Sequence, residues 1–165
     1  MKRSILLTAL ALAGIVFWNH LSASDKENLE WVSFDEGIVE ARNNNKKLLV
    51  DVYTNWCGWC KKMDENTYSD PAVGAYLRKH YVVVKLNAES EKSLRYNDVR
   101  YTEREFAGAF GISGFPSTIF LESNGEPITI FPGYADATMF QNVISFIAED
   151  HYLRMEFDEY LSAKK

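Results

Sequence analysis

The stretch Leu48-Leu49-Val50-Asp51-Val52-Tyr53-Thr54-Asn55-Trp56-Cys57-Gly58-Trp59-Cys60-Lys61-Lys62-Met63 decides how this chain folds. Its first six residues form a short apolar run suited to a strand buried on both faces. Cys60-Lys61-Lys62-Met63 then opens a helix predicted to extend past Asp70-Pro71, where the proline is well placed to restart a helix at its first turn. Between strand and helix stand Cys57 and Cys60, the chain's two cysteines. A thiol at a helix start is favoured as an anion by free amides and the helix dipole, which lowers its pKa. A second thiol one turn further in can attack the mixed disulfide that the first one forms. The pattern therefore points to reversible redox chemistry, with Cys57 attacking and Cys60 resolving.

Other uses of two cysteines fit less well. A zinc site needs more ligands; there is no second cysteine pair, and His80 and His151 stand alone. A c-type haem needs His directly after the second cysteine, where Lys61 stands. A purely structural disulfide stays open, although closing so short a loop constrains the unfolded chain little.

Outward from this centre the pattern alternates. Trp31 to Asn45 reads as an amphipathic helix, capped by Ser33 with Glu36 three residues on. Tyr81 to Leu86 is a second buried-strand candidate. Ala88 to Tyr101 turns polar and loses periodicity, which predicts an insertion or long loop, solvated through the mixed charges of Glu89 to Arg104. Thr102 with Glu105 signals a capping box for a short helix through Phe110. Ser117 to Leu121 and Pro127 to Phe131 flank Asn124-Gly125, a hairpin turn signal. Asp136 caps a helix to about Glu149, and Tyr152 to Leu161 reads as a further helical segment whose apolar stripe means core packing. The order βα, βα, β-hairpin, α predicts an α/β fold: a central mixed sheet with helices on both faces.

Length and composition bound the function. A chain of 165 residues with 47% hydrophobic and 14% aromatic content fits one globular domain. A net charge of −5 without a long basic run excludes an electrostatic nucleic-acid surface. Lys2 and Arg3 precede an apolar run from Ile5 to Trp18, and Leu21-Ser22-Ala23-Ser24 offers small residues for cleavage. Residues 1–24 therefore read as a signal peptide and 25–165 as the working domain. The alternative is an uncleaved anchor, for which the run is short, since a span needs roughly 20 residues. Export would place the cysteines where disulfides persist.

From about Trp31 to Glu149 the chain resembles the thioredoxin family. The matching runs are Val50 to Lys61, Lys85-Leu86-Asn87, Gly114-Phe115-Pro116-Ser117-Thr118 and Gly133. Within the family it is most similar to the periplasmic branch, through Thr67-Tyr68-Ser69-Asp70-Pro71 to the C-terminal domain of DsbD, and through the polar segment before Thr102 to SoxW-type thioredoxins. The resemblance implies a thioredoxin fold with an N-terminal helix and a C-terminal helical extension. It implies catalytic roles for Cys57, Cys60, Asp51 and Lys85, with Asp51 buried beneath the second cysteine and accepting its proton. It also implies a substrate-docking surface from Trp56, Gly58, Trp59, Phe115 and Pro116, where a cis-Pro116 leaves the Phe115 main chain free for an extended client. No cofactor or metal is implied beyond the Cys57–Cys60 pair. The expected partners are client thiols and disulfides and a membrane electron donor of the DsbD or CcdA type; the expected location is periplasmic. Two departures stand out. Trp59 replaces the usual proline, and Glu65 stands where the family's long helix carries its kink proline. Gly-Trp, with no positive charge between the cysteines, favours a reductant, with an oxidase or isomerase, or a client-binding module, as alternatives.

Overall fold

The computed structural model describes residues 28–164, so the leader segment proposed for residues 1–24 lies outside the described residues. Five strands form the central sheet: β1 (Trp31–Val32), β2 (Lys47–Tyr53), β3 (Tyr81–Asn87), β6 (Ser117–Leu121) and β7 (Pro127–Pro132), with β4 (Ser93–Tyr96) and β5 (Val99–Thr102) forming a separate hairpin between β3 and β6 in the chain. Their spatial order is β1-β3-β2-β6-β7. β1 and β2 run parallel to β3, β6 runs antiparallel to β2, and β7 runs antiparallel to β6, as the alternation of elements followed by a hairpin requires. The mixed sheet and its parallel portion agree with the sequence reading.

Side chains alternate between two apolar layers. On one face Leu49, Val83 and Phe120 pack against α3 (Pro71–His80) and α5 (Ala137–Ala148), together with α6 (Phe157–Ala163). On the other, Leu48, Val50, Val52, Val84 and Ile119 pack against α1 (Phe34–Asn44) and α4 (Glu103–Ala109). Helix starts follow the sequence signals closely. Ser33 with Glu36 and Thr102 with Glu105 both form complete capping boxes, Asp70 caps α3 with Pro71 in its first turn, and Asp136 caps α5.

Three expectations need correction. Trp31 and Val32 are not helical but form the short edge strand β1, because Ser33 caps the helix and sets its first residue at Phe34. The segment read as a loop holds a hairpin, β4 (Ser93–Tyr96) and β5 (Val99–Thr102), whose Leu94 is buried against the α1/α4 layer. Its turn residues Asn97 and Asp98 both have positive φ, the conformation of a tight hairpin turn. The helix begun at the cysteines does not run unbroken into α3. It comprises α2 (Gly58–Met63) and then a π-helical turn, Asp64–Tyr68, so the regular α-helical pattern stops where the family proline would stand.

The terminal segment divides into a 3₁₀ turn, His151–Leu153, and α6. Tyr160 is buried, and Tyr152, Phe157 and Leu161 pack against the core, as a core stripe should; Leu153 is exposed. No helix among the described residues is long and apolar enough to cross a membrane.

Candidate active site: the Cys57–Cys60 turn

β2 delivers the cysteine pair. Its last residue is Tyr53, and the Cys57 amide donates back to the Thr54 carbonyl (3.2 Å) to close the turn. Cys57 is the N-cap of α2, and its Sγ accepts a hydrogen bond from the Cys60 amide at 3.0 Å. Cys57 and Cys60 are joined in a disulfide with Cα atoms 5.3 Å apart. Both are buried, so the sulfurs are framed by neighbouring side chains rather than projecting from the surface.

The strand register builds the electrostatic centre. Asp51 on β2 lies opposite Lys85 on β3 and Thr118 on β6. Lys85 Nζ donates to Asp51 Oδ2 at 2.6 Å and to Asp64 Oδ1 at 2.5 Å. The Tyr68 hydroxyl donates to the other Asp51 oxygen at 3.2 Å. Asp51 is almost wholly shielded from solvent, and that burial raises its pKa despite the opposing pull of Lys85. Burial also works against the charge of Lys85, but Asp51 and Asp64 outweigh it and hold the ammonium pKa above its ordinary value. The rings of Trp31, Tyr68 and Tyr53 surround Nζ at 4.6, 5.2 and 5.4 Å, adding cation–π attraction.

Around the disulfide lie two aromatic pairs. Trp56 meets Phe115 edge to face, with centroids 5.9 Å apart, and its indole Nε1 donates to Glu89 at 2.9 Å. Trp59 packs on Tyr134 at 5.2 Å, and Lys62 Nζ lies 4.9 Å from the Trp59 ring and 5.8 Å from that of Tyr134. Trp56 and Trp59 are 68% and 56% exposed, unusual values for the largest apolar side chain. The Phe115–Pro116 bond is cis. The Gly133 amide, at a φ of 83° that favours glycine, donates to the Pro116 carbonyl at 2.8 Å and so brings Tyr134 alongside.

The structure thus joins Asp51 to Lys85, places Trp56, Gly58 and Trp59 on the cysteine turn, and sets Phe115 against Trp56. Five neighbours were given no site role by the sequence reading: Lys62, Asp64, Tyr68, Glu89 and Tyr134. Asp64 stands four residues after Cys60, one helical turn on, and Tyr134 directly follows Gly133, so both carried a positional signal. Tyr68 lies in the Thr67–Pro71 run that carries the resemblance, and Glu89 carried no signal that distinguished it from a surface residue.

Comparison with known proteins bears on the family and the fold. The sequence model of the thioredoxin-like domain matches residues 34–148. The chain belongs to the thioredoxin-like family. Within the thioredoxin-like relatives, it is 22% identical over 102 residues to the disulfide bond reductase DsbH of Chlamydia pneumoniae, covering 61% of this chain and 61% of that protein. It is 28% identical over 126 residues to the thiol:disulfide interchange protein DsbD of Actinobacillus pleuropneumoniae, covering 75% of this chain and 19% of that protein. The chain therefore spans less than two thirds of either relative. A thioredoxin-fold protein from Helicobacter pylori superimposes with a TM-score of 0.65 at 22% identity, covering 73% of this chain and 80% of that one. This thioredoxin-like chain shares its fold with that structure, and its Cys57–Cys60 pair is of the kind that thiol–disulfide oxidoreductases use.

Proposed function

We propose that this chain is an exported, periplasmic thiol–disulfide oxidoreductase that reduces disulfides in client proteins. One observation carries the reading: a Cys57–Cys60 disulfide at a helix start, with a buried, lysine-paired carboxylate on the strand that leads into it. The names of the two relatives, a disulfide bond reductase and a thiol:disulfide interchange protein, support the activity, and the first supports the direction.

The reaction needs no bound cofactor, because the dithiol is the redox group. In the reduced protein the Cys57 thiolate attacks a client disulfide; a new S–S bond forms and the client's other sulfur leaves as a thiolate. The Cys60 amide, which donates to Cys57 Sγ, stabilises negative charge on that sulfur. Cys60 then gives up its proton and attacks Cys57 Sγ, expelling the second client sulfur and regenerating the Cys57–Cys60 disulfide. Two electrons pass to the client. Asp51, whose raised pKa makes it a stronger base than an ordinary aspartate, takes the Cys60 proton, and Lys85 positions it. Trp56, Gly58, Trp59, Phe115 and Pro116 form the docking face, with the Phe115 main chain pairing an extended client. A membrane donor of the DsbD or CcdA type would return the electrons.

Insulin reduction with dithiothreitol tests the activity. Turnover is expected for the parent and loss of turnover for Cys57→Ser; a Cys57→Ser variant that still turns over would remove Cys57 as nucleophile. Cys60→Ala should accumulate mixed disulfides with clients and so name them. Equilibration against glutathione tests direction, and a strongly oxidising potential would overturn the reductase reading in favour of an oxidase or isomerase.

A further inference from the structure

Two charges of opposite sign stand at the two aromatic pairs that frame the disulfide. On the Trp59/Tyr134 side, Lys62 Nζ lies over both rings, and no carboxylate pairs with it among the described residues. On the Trp56/Phe115 side, the Glu89 carboxylate accepts from the Trp56 indole, and no cation pairs with it among the described residues. Arg104, the nearest basic neighbour by its bonds, reaches the Glu89 backbone carbonyl and spends its charge on Glu91. By contrast Lys85 and Lys47, on the sheet, are each matched by two carboxylates.

Both charges are exposed, and each is held in place, Lys62 by ring contacts and Glu89 by the indole hydrogen bond. Between them run the cysteine turn and the Phe115–Pro116 segment. Charges placed at the rim of an interface fix register and reject wrong partners more than they add affinity. A partner that fills this face must therefore meet an unpaired cation at one end and an unpaired anion at the other.

We propose that the docking face is bipolar and selects extended client segments whose cysteine is flanked by an acidic residue on the Trp59/Tyr134/Lys62 side and a basic residue on the Trp56/Glu89 side. This rests on the thiol–disulfide reading of the site and deepens it by naming the client's charge pattern. Lys62 and Glu89 are specificity-determining residues, not members of the proton-transfer machinery.

The test uses two peptides of identical composition and net charge, Glu-x-Cys-x-Lys and Lys-x-Cys-x-Glu, each disulfide-linked to the same reporter thiol. Equal net charge cancels the field of the whole molecule, so a difference reports on local charge alone. The parent protein should reduce one orientation faster in kcat/KM by about fivefold, as expected for exposed charge pairs. Raising ionic strength should shrink the preference. In the double variant Lys62→Glu with Glu89→Lys the preferred orientation should exchange. Equal rates for the two peptides, or a preference that keeps its sign in the charge-exchanged variant, would overturn the bipolar face while leaving the redox reading intact. Reduction of neither peptide by the dithiol protein would instead defeat the redox reading itself. Far-ultraviolet circular dichroism of the double variant separates a change of preference from misfolding.

Discussion

At Asp51 two effects oppose each other. Burial disfavours its charge, while Lys85 at 2.6 Å favours it, and burial is the larger effect. The folded chain therefore binds the Asp51 proton more tightly than the unfolded chain. It follows that this group's contribution to stability falls as pH rises from about 3.9, the unfolded value, through the raised folded value. Asp51→Asn removes that loss while keeping the side chain's shape, and Lys85 retains Asp64 as its partner. The variant should be more stable than the parent at pH 7, with the gap closing towards pH 3. Urea denaturation of the oxidised forms across that range checks both sign and window; a less stable variant at pH 7 would mean that the ion pair outweighs the burial. The same substitution should slow release of the mixed disulfide more than its formation, as single-turnover kinetics would show, and equal slowing of both steps would exclude Asp51 from proton transfer.

Among the elements, α1 meets the sheet at close quarters through Gly37. A Cβ there would come within 2.5 Å of Val84 Cγ2 and 3.1 Å of Leu48 Cδ1. Val84 is β-branched and fixed in β3, so it cannot swing aside cheaply. Gly37→Ala should gain helix propensity yet lose more to overpacking, for a net cost of about 1–2 kcal/mol. A lower urea midpoint at unchanged slope is the expected result; an unchanged midpoint would show that the helix shifts freely on the sheet. Such close approach is invisible in sequence, where Gly37 looks like a weak point in a helix. Elements with caps or buried runs were legible because their signals are local: Ser33 and Glu36, Thr102 and Glu105, Asp70-Pro71, and the apolar stretch from Leu48. β1 was not, since two residues carry no period. The β4–β5 hairpin hid behind its polar surface, although Asn97-Asp98 was a turn signal in plain view. At the site, the residues carried by motif were readable, whereas Glu89 reaches it only through the fold.

Across the whole molecule, the terminal helix α6 is part of the core rather than an appendage. Tyr160 packs between Phe146 and His151, with centroids at 5.2 and 4.8 Å. Lys47 at the start of β2 binds Glu122 and Asp150, each at 2.9 Å, and Tyr152 also bonds Glu122, tying this end of the chain to the sheet. Tyr160→Ala should cost about 3 kcal/mol of stability. Insulin turnover by the folded variant at 25 °C should match the parent, because Tyr160 lies in the cluster with α5 rather than at the cysteine turn. Lost turnover in a variant shown to be folded would make the terminal segment part of the client surface.

The borders of the sheet bear on how such a protein survives its own work. In the proposed role the protein would meet client chains whose unpaired backbones can join an exposed strand. Here one outer strand, β1, is two residues long, and the other, β7, begins and ends with the prolines Pro127 and Pro132. Neither is a template on which a foreign strand can grow. Stray chains would thus find little to zip onto at either flank of the central sheet.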